Sequence, residues 1–440
     1  MTNVVENIGL EALMDRANII FTNGYVFDGT ADINQLKKSF KAVFDCVNKF
    51  KFQLKYTSQS DFVWLNTDST TTLFNHQLSD NIEVDFKNLS SQSIDLIGNA
   101  PMIVTMIENK YKSEFIIAVS SNHTYMDARS ANYFFNNFIN HYNSVLQDEP
   151  ALSKGILSKI KSLQTISGDN FITQALSQRT EINNSQNIED LLEYKIEDIG
   201  EYGIDRSELT KCLAHFKTSI RAPQISQLDI NQCITHCRII YPQITKNSIV
   251  CAMLAKSIYL VNVEQRSKPA KHKISFKMLS DLLNDENRQQ YTGNYISFLP
   301  VTIDGEKSLS EIALQIHNRI VEFKTNGIDI SMFSLTEQAI KQELVGTSDE
   351  ALSFVVTNWN NYDFLGSNRF LHDCISKKHL SAVNIAPKDN LGAALVNRPV
   401  AVINFSPNSE LCLSFFPSLK CPQENKDLLT KFKTLLHAKN

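Results

Sequence analysis

One histidine stands where it could move a proton. In the segment SSNHTYMDARS, His123 and Asp127 are spaced H-x-x-x-D, after an apolar run and before an aromatic-rich one. An imidazole near neutral pKa, held where a strand gives way to a loop, can accept a proton from a hydroxyl or amine as that atom attacks a carbonyl. Such a step needs no covalent enzyme intermediate, which agrees with the lack of any G-x-S-x-G nucleophile elbow. The spacing alone is common, and His76 with Asp80 repeats it. His76 sits in the polar stretch LFNHQLSDN, without a buried strand before it or an amphipathic helix after it, and is read as an exposed loop histidine. The bland alternative for His123 is a satisfied histidine at a strand end; its two flanks favour the chemical reading.

Those flanks are elements that must position the pair. Met102 to Ile107 and Phe115 to Ser120 are apolar runs separated by the polar turn Glu108 to Lys112, the pattern of a hairpin in a sheet. After the motif, Phe134, Phe135, Phe138, Ile139, Tyr142, Val145 and Leu146 fall on one helical face. The aromatic stripe Tyr133, Phe134, Phe135 and Phe138 reads as core rather than pocket lining. An earlier helix is predicted from about Ile33 to Phe50, with Asp32 and Gln35 in the arrangement of a capping box. From Pro150 to about Tyr202 the chain is polar and weakly periodic, a crossing segment between two lobes. Beyond it helices are predicted at Ser207 to Thr218, Lys246 to Val263, Ser308 to Thr325, Thr336 to Leu344 and Gln423 to His437. Strands are predicted at Lys273 to Leu279, Asn294 to Ile303, Leu352 to Trp359, Val400 to Phe405 and Leu411 to Phe416. Each half alternates sheet and helix, which makes the fold class α/β with two lobes of similar size.

Composition removes several rival chemistries. Glycine is scarce, 14 in 440 residues, less than half the typical ~7%. No G-x-G-x-x-G or G-x-x-x-x-G-K stretch occurs, which disfavours loops that wrap phosphates with backbone amides. With 43 basic and 47 acidic residues and a net charge of −4, the chain has no cationic excess for nucleic acid. Its first residues carry acids where a secretory signal would be basic, and the apolar stretch Ile249 to Val263 is broken by Lys256 and too short to span a bilayer. A cytoplasmic chain with no membrane span is expected. Eight scattered cysteines fit reduced thiols. Cys233, His236 and Cys237 form a conceivable metal half-site, but no second pair completes it, so no metal is expected and buried thiols are the reading.

The strand, the H-x-x-x-D pair and the aromatic helix together resemble the CoA-dependent acyltransferase superfamily, which includes chloramphenicol acetyltransferase, nonribosomal-peptide condensation domains and the plant-type BAHD acyltransferases. The resemblance implies His123 as the catalytic base and Asp127 as a mainly structural acid that orients the loop through an arginine. Asn122 stands where the motif has its first histidine, as BAHD enzymes also tolerate, and Ala128 where it has glycine. Three further segments fall in order. YTGNYISFLP, with Gly293, Asn294 and Tyr295, resembles the G-N start of a second-lobe strand; SFVVTNW, Ser353 to Trp359, resembles the T-S-W strand along the opposite tunnel wall; Asp363 to Gly366 resembles part of a D-F-G-W-G motif. The arginine that comes after the strand in BAHD-type members has Leu279 near its place, with Arg16 and Arg129 as unranked substitutes.

The resemblance implies both an architecture and a reaction. The architecture is two chloramphenicol-acetyltransferase-like lobes, each a mixed sheet with flanking helices, and an active-site tunnel between them. Residues 1–165 would form the N-terminal lobe with the motif, 166–205 a crossing linker, and 206–440 the C-terminal lobe. The reaction is acyl transfer from a thioester, acyl-CoA or an acyl-phosphopantetheine on a carrier protein, to a hydroxyl or amine of a small-molecule acceptor, in secondary metabolism and in a monomeric enzyme without a permanently bound cofactor. Thr357 and Asn358, beside Trp359, are candidate oxyanion donors from the opposite wall. Arg266, Lys268, Lys271 and Lys273, in the densest basic run, could meet CoA phosphates or an acidic carrier helix, against the blander reading of a solvated loop. A stand-alone condensation enzyme with a carrier-bound donor is the alternative within the class, and a non-catalytic binding protein on the same fold is the rival from outside it.

Overall fold

The computed structural model describes residues 7–57, 62–66, 73–91, 100–193, 214, 224–265, 273–283, 287–342, 354–359, 374–395, 400–405, 410–416 and 424–437. The first half runs α1 (Gly9–Ala17), β1 (Ile19–Asp28), α2 (Ile33–Phe44), a 3-10 turn (Asn48–Lys51), β2 (Phe52–Tyr56), β3 (Phe62–Asn66), β4 (Leu73–Ser79) and α3 (Ile82–Ser90). It continues with β5 (Met102–Asn109), β6 (Glu114–Asn122), α4 (Ala128–Leu146), α5 (Pro150–Lys161), α6 (Gly168–Gln178) and α7 (Asn184–Glu193). The second half runs β7 (Gln224–Leu228), α8 (Asn231–Ile240), α9 (Lys246–Gln265), β8 (Lys273–Asp281), β9 (Ile296–Asp304), α10 (Leu309–Thr325) and α11 (Ile328–Lys341). It closes with β10 (Phe354–Asn358), β11 (Ile375–Ile385), α12 (Asn390–Leu395), β12 (Val400–Phe405), β13 (Leu411–Phe416) and α13 (Glu424–His437).

Two mixed sheets organise these elements into the α/β, two-lobed architecture. The first has the order β11-β1-β6-β5-β4, with β4 parallel to β5 and the other neighbours antiparallel. The second has the order β7-β13-β12-β10-β8-β9, with β10 parallel to both β12 and β8. Strand β11 belongs to the second half by sequence yet pairs along β1, from Ile19 opposite Ile385 to Asp28 opposite Ile375. Midway along it, His379 stacks on Tyr25 of β1 at 4.7 Å, hydrogen-bonds Asn23 across 3.2 Å, and meets Asn404 of β12 in the other sheet. One buried imidazole therefore ties both sheets together, and burial drives its pKa down to about 3, so it stays neutral.

Each lobe has its own apolar core. In the first, α4 lays Phe134, Phe135 and Phe138 against the sheet, as the sequence pattern implies, and Tyr25 stacks face to face on Phe135 at 4.0 Å. In the second, α9 is apolar almost all round because it is enclosed, with Ile249 to Ala255 buried throughout. Lys256, in the middle of that helix, carries its charge outward and donates to the Gly305 carbonyl at 2.6 Å. Cys233 and Cys237 share the inner face of α8 as buried thiols, Cys233 Sγ lying 3.8 Å from Met253 Sδ.

Several sequence expectations are adjusted. The helix predicted from Ile33 stops at Phe44 and gives way to the 3-10 turn, while Asp32 caps it by accepting the Gln35 N–H at 2.9 Å. His76 is exposed, but it lies in edge strand β4 and pairs with Glu108 at 3.0 Å; its polar sequence reflects an edge with solvent around it. The helix predicted from Thr336 begins at Ile328, because Gly327 at φ 66 turns the chain directly out of α10. The expected crossing segment carries α6 and α7 over its described part. The helix predicted at Ser207 to Thr218 lies outside the described residues apart from Ala214, and Asp363 to Gly366 lie outside them altogether.

Candidate active site

His123 owes its place to three local devices. Strand β6 ends at Asn122, whose side chain accepts the Thr124 N–H at 3.0 Å and so closes the turn into the motif. The His123 N–H donates to the Ile19 carbonyl at 2.9 Å, pinning the residue to the start of β1. Asp127 then caps α4, its Oδ1 accepting the Ser130 N–H at 2.7 Å. Ala128 is the first residue of that helix and has ordinary helical geometry, so the glycine of the resembling motif is not required for the backbone here.

The imidazole is oriented from the other half of the chain. His123 Nδ1–H donates to Asn294 Oδ1 at 2.9 Å, while Asn294 Nδ2 donates to the His123 carbonyl at 2.8 Å. The second bond fixes which end of the amide faces the ring, so Nδ1 keeps the proton and Nε2 keeps a lone pair. Asn294 is wholly buried, and burial is also the main influence that pulls the His123 pKa below the usual 6.5, so the ring is neutral at neutral pH. Gly293, at φ 152, lets the chain pass close to Ile8 and offers its carbonyl to the Asp127 N–H at 3.3 Å. Phe21 of β1 then wedges the ring, its centroid 5.2 Å from that of His123 and 5.7 Å from that of Trp359.

A cavity of about 100 Å³ lies against this histidine, between the two sheets. Ile19, Phe21, Val383 and Ile385 come from the first sheet; Leu279, Ile296, Phe298, Val355 and Val400 come from the second. Its wall is mostly apolar, and the polar groups in it are few: His123, Asp127, Ser280, Asp281, Thr357 and Asn358. The sequence-predicted trio is thus brought together with His123. Trp359 Nε1–H donates to Thr357 Oγ1 at 3.0 Å, which leaves the threonine hydroxyl hydrogen for another acceptor. The core stripe of α4 does not line the cavity apart from its neighbour Ala128.

The arginine expected beside Asp127 is not found at either substitute position. Arg16 pairs with Asp389 at 3.0 Å, and Leu279 forms cavity wall. Arg129 reaches across to Asp281 in a buried ion pair and donates to the Leu283 carbonyl at 2.6 Å, joining α4 to the end of β8. Asp127 holds its loop by capping instead. Of the basic run, Lys273 is exposed at the start of β8, and Arg266, Lys268 and Lys271 lie outside the described residues. The sequence pattern marks Asn294 but not its grip on His123; an amide just after a glycine and just before an apolar strand is the signal that points there. Phe21 and Met14 are cavity residues that no sequence pattern marks. Among the described residues no helix is long and apolar enough to cross a membrane.

No protein-family model matches the chain, and no curated protein sequence matches it. Solved structures do match, over nearly its whole length. The first condensation domain of the calcium-dependent antibiotic synthetase, in complex with a substrate analogue, superposes with a TM-score of 0.66 at 11% identity, covering 99% of this chain and 96% of that one. Polyketide synthase associated protein 5 from Mycobacterium tuberculosis gives 0.64 at 12% identity, covering 98% and 97%. A mutant starter condensation domain of rhizomide synthetase RzmA in complex with C8-CoA gives 0.62 at 10% identity, covering 98% and 94%. At such identities the likeness shows the fold, that of the two-lobed condensation domains.

Proposed function

We propose that the protein is an acyltransferase that moves an acyl group from a thioester to a small nucleophile, with His123 Nε2 as general base. The observation that carries the proposal is the two-point hold of Asn294 on His123, which leaves a neutral imidazole with its free lone pair beside an apolar cavity. As the acceptor attacks the thioester carbonyl, His123 takes its proton and the new bond to carbon forms. The Thr357 hydroxyl donates to the oxyanion. Collapse expels the thiolate, which takes the proton back from the imidazolium. The apolar wall suits an acyl chain and keeps water from competing.

Acyl-CoA is the simplest donor, and C8-CoA is what one structural neighbour holds. A donor tethered to a carrier protein is the second version, favoured by the likeness to condensation domains. The test is release of free thiol from a panel of acyl-CoAs with added alcohols and amines. Turnover with free acyl-CoA supports the first version. Turnover only with an acyl carrier protein supports the second, and silence with both contradicts the enzyme reading.

A further inference from the structure

The length of the donor's acyl chain can be read from the space beside His123, an inference that rests on the acyl-transfer reading above. Asp281 lines two cavities. The one that holds His123 measures about 100 Å³ and is mostly apolar, whereas its neighbour, of about 280 Å³, presents Gln174, Gln178, Arg179, Asn287, Lys324 and Asp329. An alkyl chain gains by leaving water only for the first of these. Hydrogen-bonded strands hold that cavity to its size. Its apolar wall is built from cross-strand partners: Ile19 opposite Ile385 and Phe21 opposite Val383 in the first sheet, and Leu279 opposite Phe298 in the second. Moving one such residue outward disturbs a strand pair in a close-packed interior. Met14 differs, because it enters the wall from helix α1 on an unbranched, adaptable side chain.

We propose that this cavity receives the acyl chain and restricts the donor to short apolar acyl groups, of about four carbons at most. A water molecule claims about 30 Å³ of the liquid, so about 100 Å³ is room for roughly three heavy atoms beyond the reacting carbonyl carbon. An engineered apolar cavity of about 150 Å³ takes up benzene, which sets a similar scale. Acetyl leaves most of the space empty, and butyryl fills it. Hexanoyl and octanoyl must leave carbons in water or push paired strands apart. The limit lies in the wall and not in the thiol half of the donor, so it holds for acyl-CoA and for an acyl carrier protein alike. Met14 is the specificity-determining residue, because Met14→Ala removes the thioether arm from the wall without touching a strand pair and opens room for about two further carbons.

Calorimetric titration of the full chain with the acetyl, butyryl, hexanoyl and octanoyl thioesters of N-acetylcysteamine tests this without requiring turnover. Affinity should rise about fourfold for each methylene from acetyl to butyryl, the usual value of burying that group, and should rise no further in hexanoyl or octanoyl. Met14→Ala, with folding checked by thermal unfolding, should make hexanoyl the tightest of the four. Hexanoyl or octanoyl binding more tightly than butyryl, no gain from acetyl to butyryl, or no detectable binding by the wild type overturns the proposal, whether or not the variant folds. A folded Met14→Ala protein that still prefers butyryl also overturns it. Thiol release separates this proposal from the acyl-transfer reading. Release fastest from the octanoyl thioester defeats the length limit and leaves acyl transfer standing. No release from these thioesters or from an acyl carrier protein, with binding still greatest for butyryl, defeats acyl transfer and leaves the length limit of the cavity standing.

Discussion

Asn294 grips His123 at two points, accepting a hydrogen bond from Nδ1–H with one end of its amide and donating one to the backbone carbonyl with the other. The two residues stand 171 positions apart and on different lobes. Docking one lobe on the other therefore sets the tautomer of His123, and in the proposed reaction a small shift between lobes would be a shift in catalytic geometry.

The first prediction rests on that grip and on burial. Burial lowers the His123 pKa and the Asn294 bond raises it, burial being the larger influence. The acid limb of kcat/KM should accordingly lie below pH 6.5, with activity full above it and lost as pH falls through it. Asn294→Leu removes the support for the protonated ring and should move the limb further toward acid while lowering kcat by roughly tenfold or more. Asn294→Asp, with a carboxylate facing Nδ1, should move it the other way. A loss of activity with no movement of the limb in either variant would mean that Asn294 serves only the fold.

Thr357 carries the second prediction. Its oxygen accepts from Trp359 Nε1, which aims the hydroxyl hydrogen away from the indole. Thr357→Val keeps the shape and removes the donor, and should lower kcat by about 10²–10³ with little change in KM, as loss of one oxyanion donor does. Trp359→Phe should give a smaller drop in kcat. An unchanged kcat in Thr357→Val would remove this residue from the mechanism.

A third prediction concerns stability. Helix α1 places Met14 in the cavity wall, and its Glu11 is wholly buried in an ion pair with Lys49 while accepting from Trp64 Nε1 at 3.1 Å. Burial lifts the Glu11 carboxyl to about 7 in spite of the lysine. The folded state thus keeps this proton to higher pH than the unfolded chain does. Its contribution is full below the ordinary 4.5 and is lost as pH rises through about 7. Lys49→Met should cost about 3–5 kcal/mol in denaturant unfolding at pH 8, because it strands the charge. The loss should shrink at pH 5, and adding Glu11→Gln should recover most of it. A uniform loss at both pH values would point to packing and not to charge.

Range along the chain decides how much of this is legible in the sequence. His123 at a strand end and Asp127 at a helix start are legible because both are local: the alternating and 3.6-residue patterns of β6 and α4 meet at the motif. Their partners are not, because no local pattern records that Ile19 pairs with Ile385 or that Asn294 faces His123. Strand β1 itself, IIFTNGYVFD, is hard to see because it is covered on both faces and so lacks alternation, and Gly24 is needed at its centre where the Phe86 ring packs. β11 is hidden by its polar start, ISKK, which is exposed or half-buried before the strand enters the core at His379. The pairing of Arg129 with Asp281 instead of Asp127 is likewise a tertiary choice between acids that sequence alone leaves equivalent.

The central claim is that His123 is the base. Its most direct test is the rate of thiol release by His123→Ala against wild type, with the same donor and acceptor and with folding checked by thermal unfolding. Loss of a general base predicts a fall in kcat of at least about 10²-fold in a protein that still folds. A folded His123→Ala protein with wild-type turnover would contradict the account.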